Sequence, residues 1–151
     1  MAPTQTPDFA PQTLAKLETC FDKLYAMPEV NQQVAAIGYC FGGSYCFSLV
    51  MNEPRLKLAM PFYGHTTDDA TELKKIKCPV RAFYGEKDED LMNSLPRLKE
   101  NMKKASVDFD AKVYPGAGHA FFNDTNPYAY NQAAADDAWQ RVLELLKTYL
   151  V

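Results

Sequence analysis

A cysteine surrounded by small residues lies in the motif GYCFGG at residues 38–43. The apolar run at residues 34–37 predicts a buried strand before it, and the mostly apolar run at residues 44–51 predicts a helix after it. Cys40 is therefore expected at a strand-to-helix turn, where the positive end of the helix dipole lowers the pKa of a thiol. The backbone N–H of Phe41 would point to the place where an oxyanion forms. This pattern favours a nucleophile over the usual interpretation of cysteine as a small buried hydrophobe.

The glycines beside the cysteine have a steric explanation. We expect a sharp turn to leave no room for a side chain at Gly38 or Gly42, and to require backbone dihedrals that glycine adopts at low cost. A nucleophile at a strand-to-helix turn with glycine on both sides is a nucleophile elbow. Here the nucleophile is cysteine, and a second glycine, Gly43, follows the first.

Two further residues with catalytic potential follow predicted strands. Asp88 comes after the strand predicted at residues 80–84, and His119 lies in a glycine-punctuated loop after the strand predicted at residues 109–114. Residues just past the C-terminal ends of parallel strands gather along one crevice. Alone, Asp88 could be a solvated charge and His119 could donate to a backbone carbonyl. Together with Cys40 they predict a triad in which the thiol attacks, His119 moves the proton and Asp88 orients the imidazole.

Helices and strands alternate along the rest of the chain. The apolar spacing predicts a helix from Pro11 to near Pro28, a strand over residues 56–64, a short helix over 68–76, a helix marked by Leu91 to Ala105, and a last helix near 131–150. Such alternation predicts an α/β fold in which about four parallel strands are flanked by helices. Pro61 is expected to end or bulge its strand, and the charged residues at 109–114 are expected to protect a sheet edge.

Length and composition indicate one folded domain. The chain has 151 residues, of which 47% are apolar, so residues 11–151 are expected to share one core after a loose, polar leader at residues 1–10. The net charge is −3, with acidic and basic residues interspersed. Since there is no basic stripe, we expect neither a nucleic-acid partner nor a membrane surface.

The cysteines bear on the compartment. No apolar run reaches the length of a membrane span, and the first ten residues lack the pattern of a signal peptide. The four cysteines have no C-x-x-C spacing, so free thiols in a reducing, cytoplasmic compartment are expected. Because the cysteines and the two histidines are scattered, we expect no metal and no cofactor.

Three motifs together resemble the dienelactone hydrolase family of cysteine α/β-hydrolases: GYCFGG at residues 38–43, YGEKD at 84–88 and YPGAGHAF at 114–121. The resemblance implies a hydrolase that opens a lactone or cleaves an ester through a thioester, without a metal. It assigns the roles of nucleophile, acid and base to Cys40, Asp88 and His119.

The position of the first motif departs from that family. The resemblance implies a longer chain in which the cysteine lies near the middle, whereas here it lies at residue 40. Residues 1–34 offer no counterpart of a second oxyanion donor, of the acid that restrains the cysteine, or of groups that hold a substrate carboxylate. We therefore expect a truncated α/β-hydrolase fold, slow hydrolysis and a readily oxidised Cys40. The strand near Val34–Ile37 should be an edge that pairs with a second copy or with a partner chain.

Two other functions stay open at this point. The chain could be a weakly active or inactive half-domain that serves as an interaction subunit. It could also be a redox sensor that uses Cys40, although no resolving cysteine is evident in the sequence. Loss of the triad geometry would favour the first, and sulfenic acid on Cys40 in an intact fold would favour the second.

Overall fold

Helices and strands alternate along the chain in the predicted order. The structure, a computed structural model, describes residues 9–151. Its elements are α1 (Phe9–Tyr25), β1 (Ala35–Tyr39), α2 (Phe41–Asn52), β2 (Leu58–Phe62), α3 (Ala70–Leu73), β3 (Val80–Gly85), α4 (Glu89–Lys104), β4 (Phe109–Tyr114) and α5 (Gln132–Leu150). The predicted leader falls mostly on residues 1–8, which lie outside the described residues, and α1 already includes residues 9 and 10.

Two helices differ from their predicted bounds. α2 begins at Phe41 rather than at residue 44 because Gly42 and Gly43 belong to its first turn, in spite of the low helix propensity of glycine. α3 has only four residues. It begins after Asp69, whose carboxylate accepts a hydrogen bond from the N–H of Thr71 at 2.8 Å.

The four strands form one parallel sheet in the order β1-β2-β3-β4. This confirms the predicted α/β class, with about four parallel strands flanked by helices. β1 and β4 are the edges of the sheet, and within residues 9–151 the only strand that pairs with β1 is β2. Because the strands are parallel, their C-terminal ends lie at one end of the sheet.

Pro61 lies inside a central strand, so the expectation that it would end or bulge the strand is wrong. The ladder between β1 and β2 runs through Pro61 and pairs it with Gly38. On the other side, the N–H groups of Ala59 and Tyr63 donate at 3.1 and 2.8 Å to carbonyls on or next to β3. Pro61 lies midway between these two donors. Only its own bond toward β3 is lost, and the register is the same on both sides of it.

The core is built on the two central strands. Every residue of β2 is buried, and β3 is buried except at the half-buried Arg81. The rings of Phe62 and Phe83, paired across these strands, stack with 4.4 Å between their centroids. α2 packs on β1 and β2, and the Tyr114 hydroxyl ties β4 to α5 by donating to Asp137 at 2.8 Å. This packing fixes the strand ends after which the candidate site residues lie.

Candidate active site

Cys40 lies between β1 and α2 in an unusual backbone conformation. Its dihedrals are φ 52° and ψ −115°, a region that residues other than glycine rarely adopt and that is associated with functional turns. The N–H of Cys40 still donates to the Phe62 carbonyl at 3.0 Å, so the chain turns directly after the last bond of the ladder. A side chain at Gly38 would collide with the carbonyl oxygen of Gly42. The predicted strand-to-helix turn is therefore observed, and Gly38 has the predicted steric role.

The expectation that Gly42 has no room for a side chain is wrong. A Cβ added to Gly42 meets no atom within 4 Å. At Gly43, by contrast, a Cβ would collide with the carbonyl oxygen of Phe62 and would lie 3.1 Å from the Cα of Gly64. The start of α2 passes closely over the end of β2 at this point. Of the two glycines that follow Phe41, packing therefore requires Gly43 and not Gly42.

Asp88 follows β3 and is the residue that precedes the first turn of α4. An aspartate at this position commonly caps the helix, yet this carboxylate makes no capping hydrogen bond. One of its oxygens lies 2.5 Å from Nδ1 of His119 instead. The side chain of Asp88 is only 9% exposed. The structure thus places a nearly buried carboxylate against the imidazole, as the sequence predicts.

His119 lies in the loop after β4 and contacts both other predicted residues. Nδ1 faces Asp88, and Nε2 lies 3.0 Å from Sγ of Cys40. In the neutral tautomer that carries its proton on Nδ1, the ring donates to the Asp88 carboxylate and the lone pair of Nε2 faces the thiol. The His119 side chain is 41% exposed. The three side chains therefore form one hydrogen-bonded chain, although Asp88 and Cys40 lie 31 and 79 positions before His119 in the sequence.

The loops that carry Asp88 and His119 are held together by backbone contacts. The N–H of Lys87 donates to the Ala117 carbonyl at 2.8 Å, and the carboxylate of Glu86 accepts from the N–H of Gly116 at 2.8 Å. A Cβ at Gly85 would lie 2.6 Å from the Ala117 carbonyl oxygen. Glu86 is one of four acidic residues in the run at residues 86–90. Its structural role is to fix the loop that presents the histidine.

Tyr63 is a site residue that sequence reasoning missed. It follows β2 directly, has a φ of 36°, and is buried with its ring centroid 5.0 Å from that of His119. Burial raises the pKa of the Tyr63 hydroxyl, and the nearby Tyr39 and Cys40 raise it further. The phenol is therefore neutral at physiological pH. The sequence missed it because the strand was predicted over residues 56–64 and so contained Tyr63, whereas β2 ends at Phe62.

A cavity of about 650 Å³ opens beside the thiol. Its lining combines aromatic rings, small residues and a few polar groups: Tyr39, Cys40, Tyr63, Ala120, Phe122, Asn123, Asp124, Tyr130, Ala135, Asp136 and Trp139. A cavity of this volume, largely apolar and with few polar groups, has the character of a small-molecule site.

Phe41 is the first residue of α2, so its backbone N–H lies directly beside Cys40. Its side chain is about half exposed and packs edge-on against Tyr45, with 4.9 Å between the ring centroids. The oxyanion role of its N–H stays a prediction.

The other cysteines lie in different surroundings. All four are free, and Cys20 is exposed on α1. Cys46 is buried in α2 and donates to the Ala36 carbonyl at 3.5 Å. Burial raises the pKa of Cys46 to about 12 and that of Cys78 to about 11. Of these thiols, only that of Cys40 has a hydrogen bond to a histidine in the described part of the chain.

Residues 9–151 contain neither a metal-binding cluster nor a membrane-spanning helix. No group of three or more His, Cys, Asp or Glu side chains is arranged to hold a metal ion in this part of the chain. None of the helices in the same range is both long enough and apolar enough to cross a membrane.

Known proteins of one family match most of the chain. The profile of the dienelactone hydrolase family matches residues 1–150. A candidate carboxymethylenebutenolidase of Saccharolobus solfataricus is 36% identical over 123 residues, which cover 82% of this chain and 47% of that protein. Another, from Escherichia coli, is 34% identical over 125 residues, which cover 74% of this chain and 45% of that protein. The chain thus spans about half the length of the curated relatives that it matches.

Solved structures share the fold. The crystal structure of a candidate dienelactone hydrolase from Klebsiella pneumoniae has a TM-score of 0.84 at 25% identity, and the match covers 93% of this chain and 62% of that one. A dienelactone hydrolase-like promiscuous phosphotriesterase from metagenomic libraries has a TM-score of 0.83 at 22% identity, with coverage of 99% and 67%. Each solved chain extends well beyond the matched part.

Proposed function

The chain belongs to the dienelactone hydrolase family, and from this membership we propose that it hydrolyses a small ester or lactone with Cys40 as nucleophile. The observation that carries the proposal is the 3.0 Å contact between Nε2 of His119 and Sγ of Cys40, with Asp88 on the other ring nitrogen. Acyl transfer by this mechanism requires a nucleophile, a base and an orienting acid that are linked in this order by hydrogen bonds.

Acylation begins with proton transfer from the Cys40 thiol to Nε2 of His119. Sulfur attacks the carbonyl carbon, and the carbonyl oxygen becomes an oxyanion near the N–H of Phe41. When the tetrahedral intermediate collapses, the C–O bond breaks and the imidazolium returns its proton to the leaving alcohol oxygen. The product is a thioester on Cys40. With a lactone, the released hydroxyl stays attached to the acyl group.

Deacylation uses the same imidazole in the same two roles. Nε2 of His119 takes a proton from water as the water oxygen attacks the thioester carbonyl. Collapse of the second intermediate breaks the C–S bond, releases the carboxylic acid and restores the thiol. Asp88 stabilises the imidazolium in both steps, and its near burial strengthens that interaction because little solvent screens it.

The rate is expected to be low. Only one oxyanion donor, the N–H of Phe41, is proposed for this chain, and loss of one donor typically costs about 10²–10³ in turnover. The open cavity beside Cys40 also positions a substrate less firmly than an enclosed one, which lowers the effective molarity of the thiol.

Burst release of 4-nitrophenol from 4-nitrophenyl acetate tests the proposal. Wild type should release close to one equivalent per chain before a slower steady phase, and Cys40→Ala and His119→Ala should abolish that burst. Cys20→Ala, which removes an exposed thiol on α1, is the matched control and should keep it.

If wild type shows neither a burst nor steady release above that of Cys40→Ala, the proposed hydrolysis is refuted. If Cys40 were still alkylated rapidly under the same conditions, the redox-sensor function would be favoured. If it were not, the function of a non-catalytic interaction subunit would be favoured. Mass spectrometry of the intact chain distinguishes an acyl group from an alkyl group on the thiol.

We also propose that β1 pairs with a strand of another polypeptide, and that this polypeptide is a second copy of this chain. β1 has the sequence AAIGY, without any charge, and Ile37 on it is 42% exposed. An apolar strand at a sheet edge favours pairing with a strand of another chain. The alternative is that β1 pairs with a partner chain of a different sequence.

Sedimentation across a range of protein concentrations tests the homodimer. Wild type should sediment as a dimer at high concentration, and Ile37→Lys, which places a charge on the edge, should sediment as a monomer. Lys57→Glu, a charge change outside β1, is the control. A wild-type monomer at every concentration would refute the homodimer.

A cytoplasmic location is the last part of the proposal. Its support is that all four cysteines are free, which is typical of proteins in a reducing compartment. Fractionation of cells that express the chain, followed by immunoblotting, would test it.

A further inference from the structure

A second cavity, of about 290 Å³, lies between the loop after β2, the end of β3 and α4. It shares no lining residue with the cavity beside Cys40, since residues of α5 line that cavity and residues of α4 line this one. Its volume is several times the roughly 30 Å³ that one water molecule occupies in the liquid. A ligand of several non-hydrogen atoms therefore fits into it.

Two hydroxyl groups of this cavity lack hydrogen-bond partners. Within residues 9–151, the buried side-chain oxygens and nitrogens that have no partner in the protein are Oγ1 of Thr66 and the hydroxyl oxygen of Tyr84. Both residues line the second cavity, and Tyr84 is only 1% exposed. A buried polar group without a partner lowers stability and is rare in native proteins. A ligand that forms hydrogen bonds with both hydroxyls accounts for their presence in one cavity.

Three leucines of α4 form an apolar part of the wall. Leu91, Leu95 and Leu98 line the cavity and are buried, and their spacing of four and three residues places them on one face of the helix. The other lining side chain of α4 is Ser94, whose hydroxyl already donates to the Leu91 carbonyl at 3.0 Å. The cavity therefore combines two hydroxyl groups that lack partners with an alkyl surface.

The charges in the lining are either paired or exposed. Asp68 lines the cavity, but its carboxylate forms an ion pair with Arg97 at 2.7 Å. His65, which also lines the cavity, is exposed. Burial raises the pKa of the Tyr84 hydroxyl and the nearby charge of Asp88 raises it further, so the phenol is neutral at physiological pH. The cavity thus favours a neutral ligand, because a charged one would lose its hydration without gaining a counterion.

We propose that this second cavity binds a small aliphatic alcohol, whose hydroxyl group bonds to Thr66 and Tyr84 and whose alkyl chain packs on the leucines of α4. A hydroxyl group donates one hydrogen bond and accepts others, so it is complementary to two protein hydroxyls of the same character. The alkyl chain is stabilised by burial of its apolar surface. The site is independent of the proposed hydrolysis, since neither Cys40 nor His119 lines it.

The leucine methyl groups of α4 can report on binding. The chain is isotopically labelled at its leucine methyl groups and titrated with butan-1-ol, and the chemical shifts are followed by NMR. Among the described residues, no leucine lines the cavity beside Cys40, so these methyl groups distinguish the two cavities. In wild type the shifts of Leu91, Leu95 and Leu98 should saturate along one curve. The methyl shifts of Leu49, which lies on α2 and does not line the cavity, should change much less.

Two substitutions remove the proposed hydrogen bonds one at a time. Tyr84→Phe and Thr66→Val should each raise the Kd for butan-1-ol about fivefold, and the double variant should raise it further. Tyr128→Phe, which removes the hydroxyl of a tyrosine that is 99% exposed, is the matched control and should leave the Kd unchanged. Shifts that do not saturate would indicate a solvent effect only, and an unchanged Kd in the double variant would indicate apolar contact alone. Either result would overturn the inference.

Urea unfolding without alcohol tests the premise that the hydroxyls lack partners. Tyr84→Phe keeps the shape of the ring and removes a buried hydroxyl, so the urea midpoint should stay the same or rise. Thr66→Val should behave in the same way. A clear fall of the midpoint in Tyr84→Phe would show that this hydroxyl already has a partner in the folded protein, and would overturn the inference.

Discussion

Cys40 and Cys46 lie six residues apart, and they differ in almost every property that governs a thiol. Cys40 is exposed, has a φ of 52°, and lies 3.0 Å from an imidazole nitrogen. Cys46 is 4% exposed and donates to a carbonyl of the neighbouring strand. The same residue type thus serves as a candidate nucleophile at one end of α2 and as core packing in its second turn.

The difference teaches that the turn, and not the residue type, determines the chemistry. The strand-to-helix turn holds Cys40 at the C-terminal end of the sheet, where the loops after β3 and β4 bring Asp88 and His119. Six residues later, the side chain of Cys46 faces the sheet, where its thiol donates to the Ala36 carbonyl. Burial raises the pKa of Cys46 to about 12.

Alkylation by iodoacetamide should show the largest difference. In the native state Cys40 should react at least ~10³ times faster than Cys46, since the buried thiol must wait for an opening whose population is small in a stable domain. Quench-flow labelling with peptide mass spectrometry measures both rates, and Cys20 is the exposed reference without a histidine partner in the described structure.

In denaturant the difference between the two thiols should disappear, since neither the turn nor the core exists there. Comparable native rates at Cys40 and Cys46 would contradict the contrast. A Cys40 rate equal to that of Cys20 would show that exposure alone, without His119, explains the reactivity.

Gly43→Ala should disturb the turn strongly. The added methyl would collide with the Phe62 carbonyl oxygen and press on Gly64, both of which are backbone. Forced separation of α2 from β2 should cost about 3 kcal/mol of unfolding free energy, and lower Tm by roughly 10 °C. Urea unfolding followed by circular dichroism measures this. An unchanged urea midpoint would show that the turn adjusts without cost.

The sequence predicted Cys40, Asp88 and His119 because each follows a strand that the hydrophobic pattern reveals. Strand ends in a parallel sheet are neighbours whatever their distance along the chain, so pattern and topology were sufficient. The same rule missed Tyr63 because the predicted strand ran to residue 64, whereas β2 ends at Phe62. Pro61 was misjudged because the sequence does not show that its missing N–H affects only the bond toward β3.

Close contacts between distant segments were beyond the reach of the sequence. Gly43 must be glycine partly because the backbone of Gly64, 21 residues later in the chain, lies beside it. The bond between Glu86 and Gly116 depends on where two loops lie after folding. Composition and periodicity carry information about burial and element type, and neither reports which backbone atoms approach within 3 Å.

High pH should reveal the buried thiol through stability. Cys46 has a folded pKa of about 12 against an ordinary value near 9.0, so its stabilising contribution is complete below pH 9 and is lost as pH rises toward 12. Unfolding free energy should fall by up to ~1.4 kcal/mol per pH unit from this group, or about 2 kcal/mol by pH 10.5. Cys46→Ala should remove that part of the slope.

The measurement is urea unfolding with reductant present, from about pH 8 to pH 10.5. Cys46→Ala should be the less stable protein at pH 8, because it leaves a small cavity, and the difference from wild type should shrink as pH rises. Parallel stability curves for the two proteins would contradict a shifted thiol at this position.

Gly42→Ala should have the smallest effect, and its sign is opposite to that of Gly43→Ala. A methyl at Gly42 meets no atom within 4 Å, and alanine is the better helix former in the first turn of α2, so stability should rise by about 0.5–1 kcal/mol. Tm should increase by roughly 2–4 °C, and the alkylation rate of Cys40 should stay within about twofold of wild type. The substitution lies between the two cysteines and alters neither of their environments. A loss of stability would mean that the turn needs Gly42 as well as Gly43. The steric explanation based on Gly38 and Gly43 would then be incomplete.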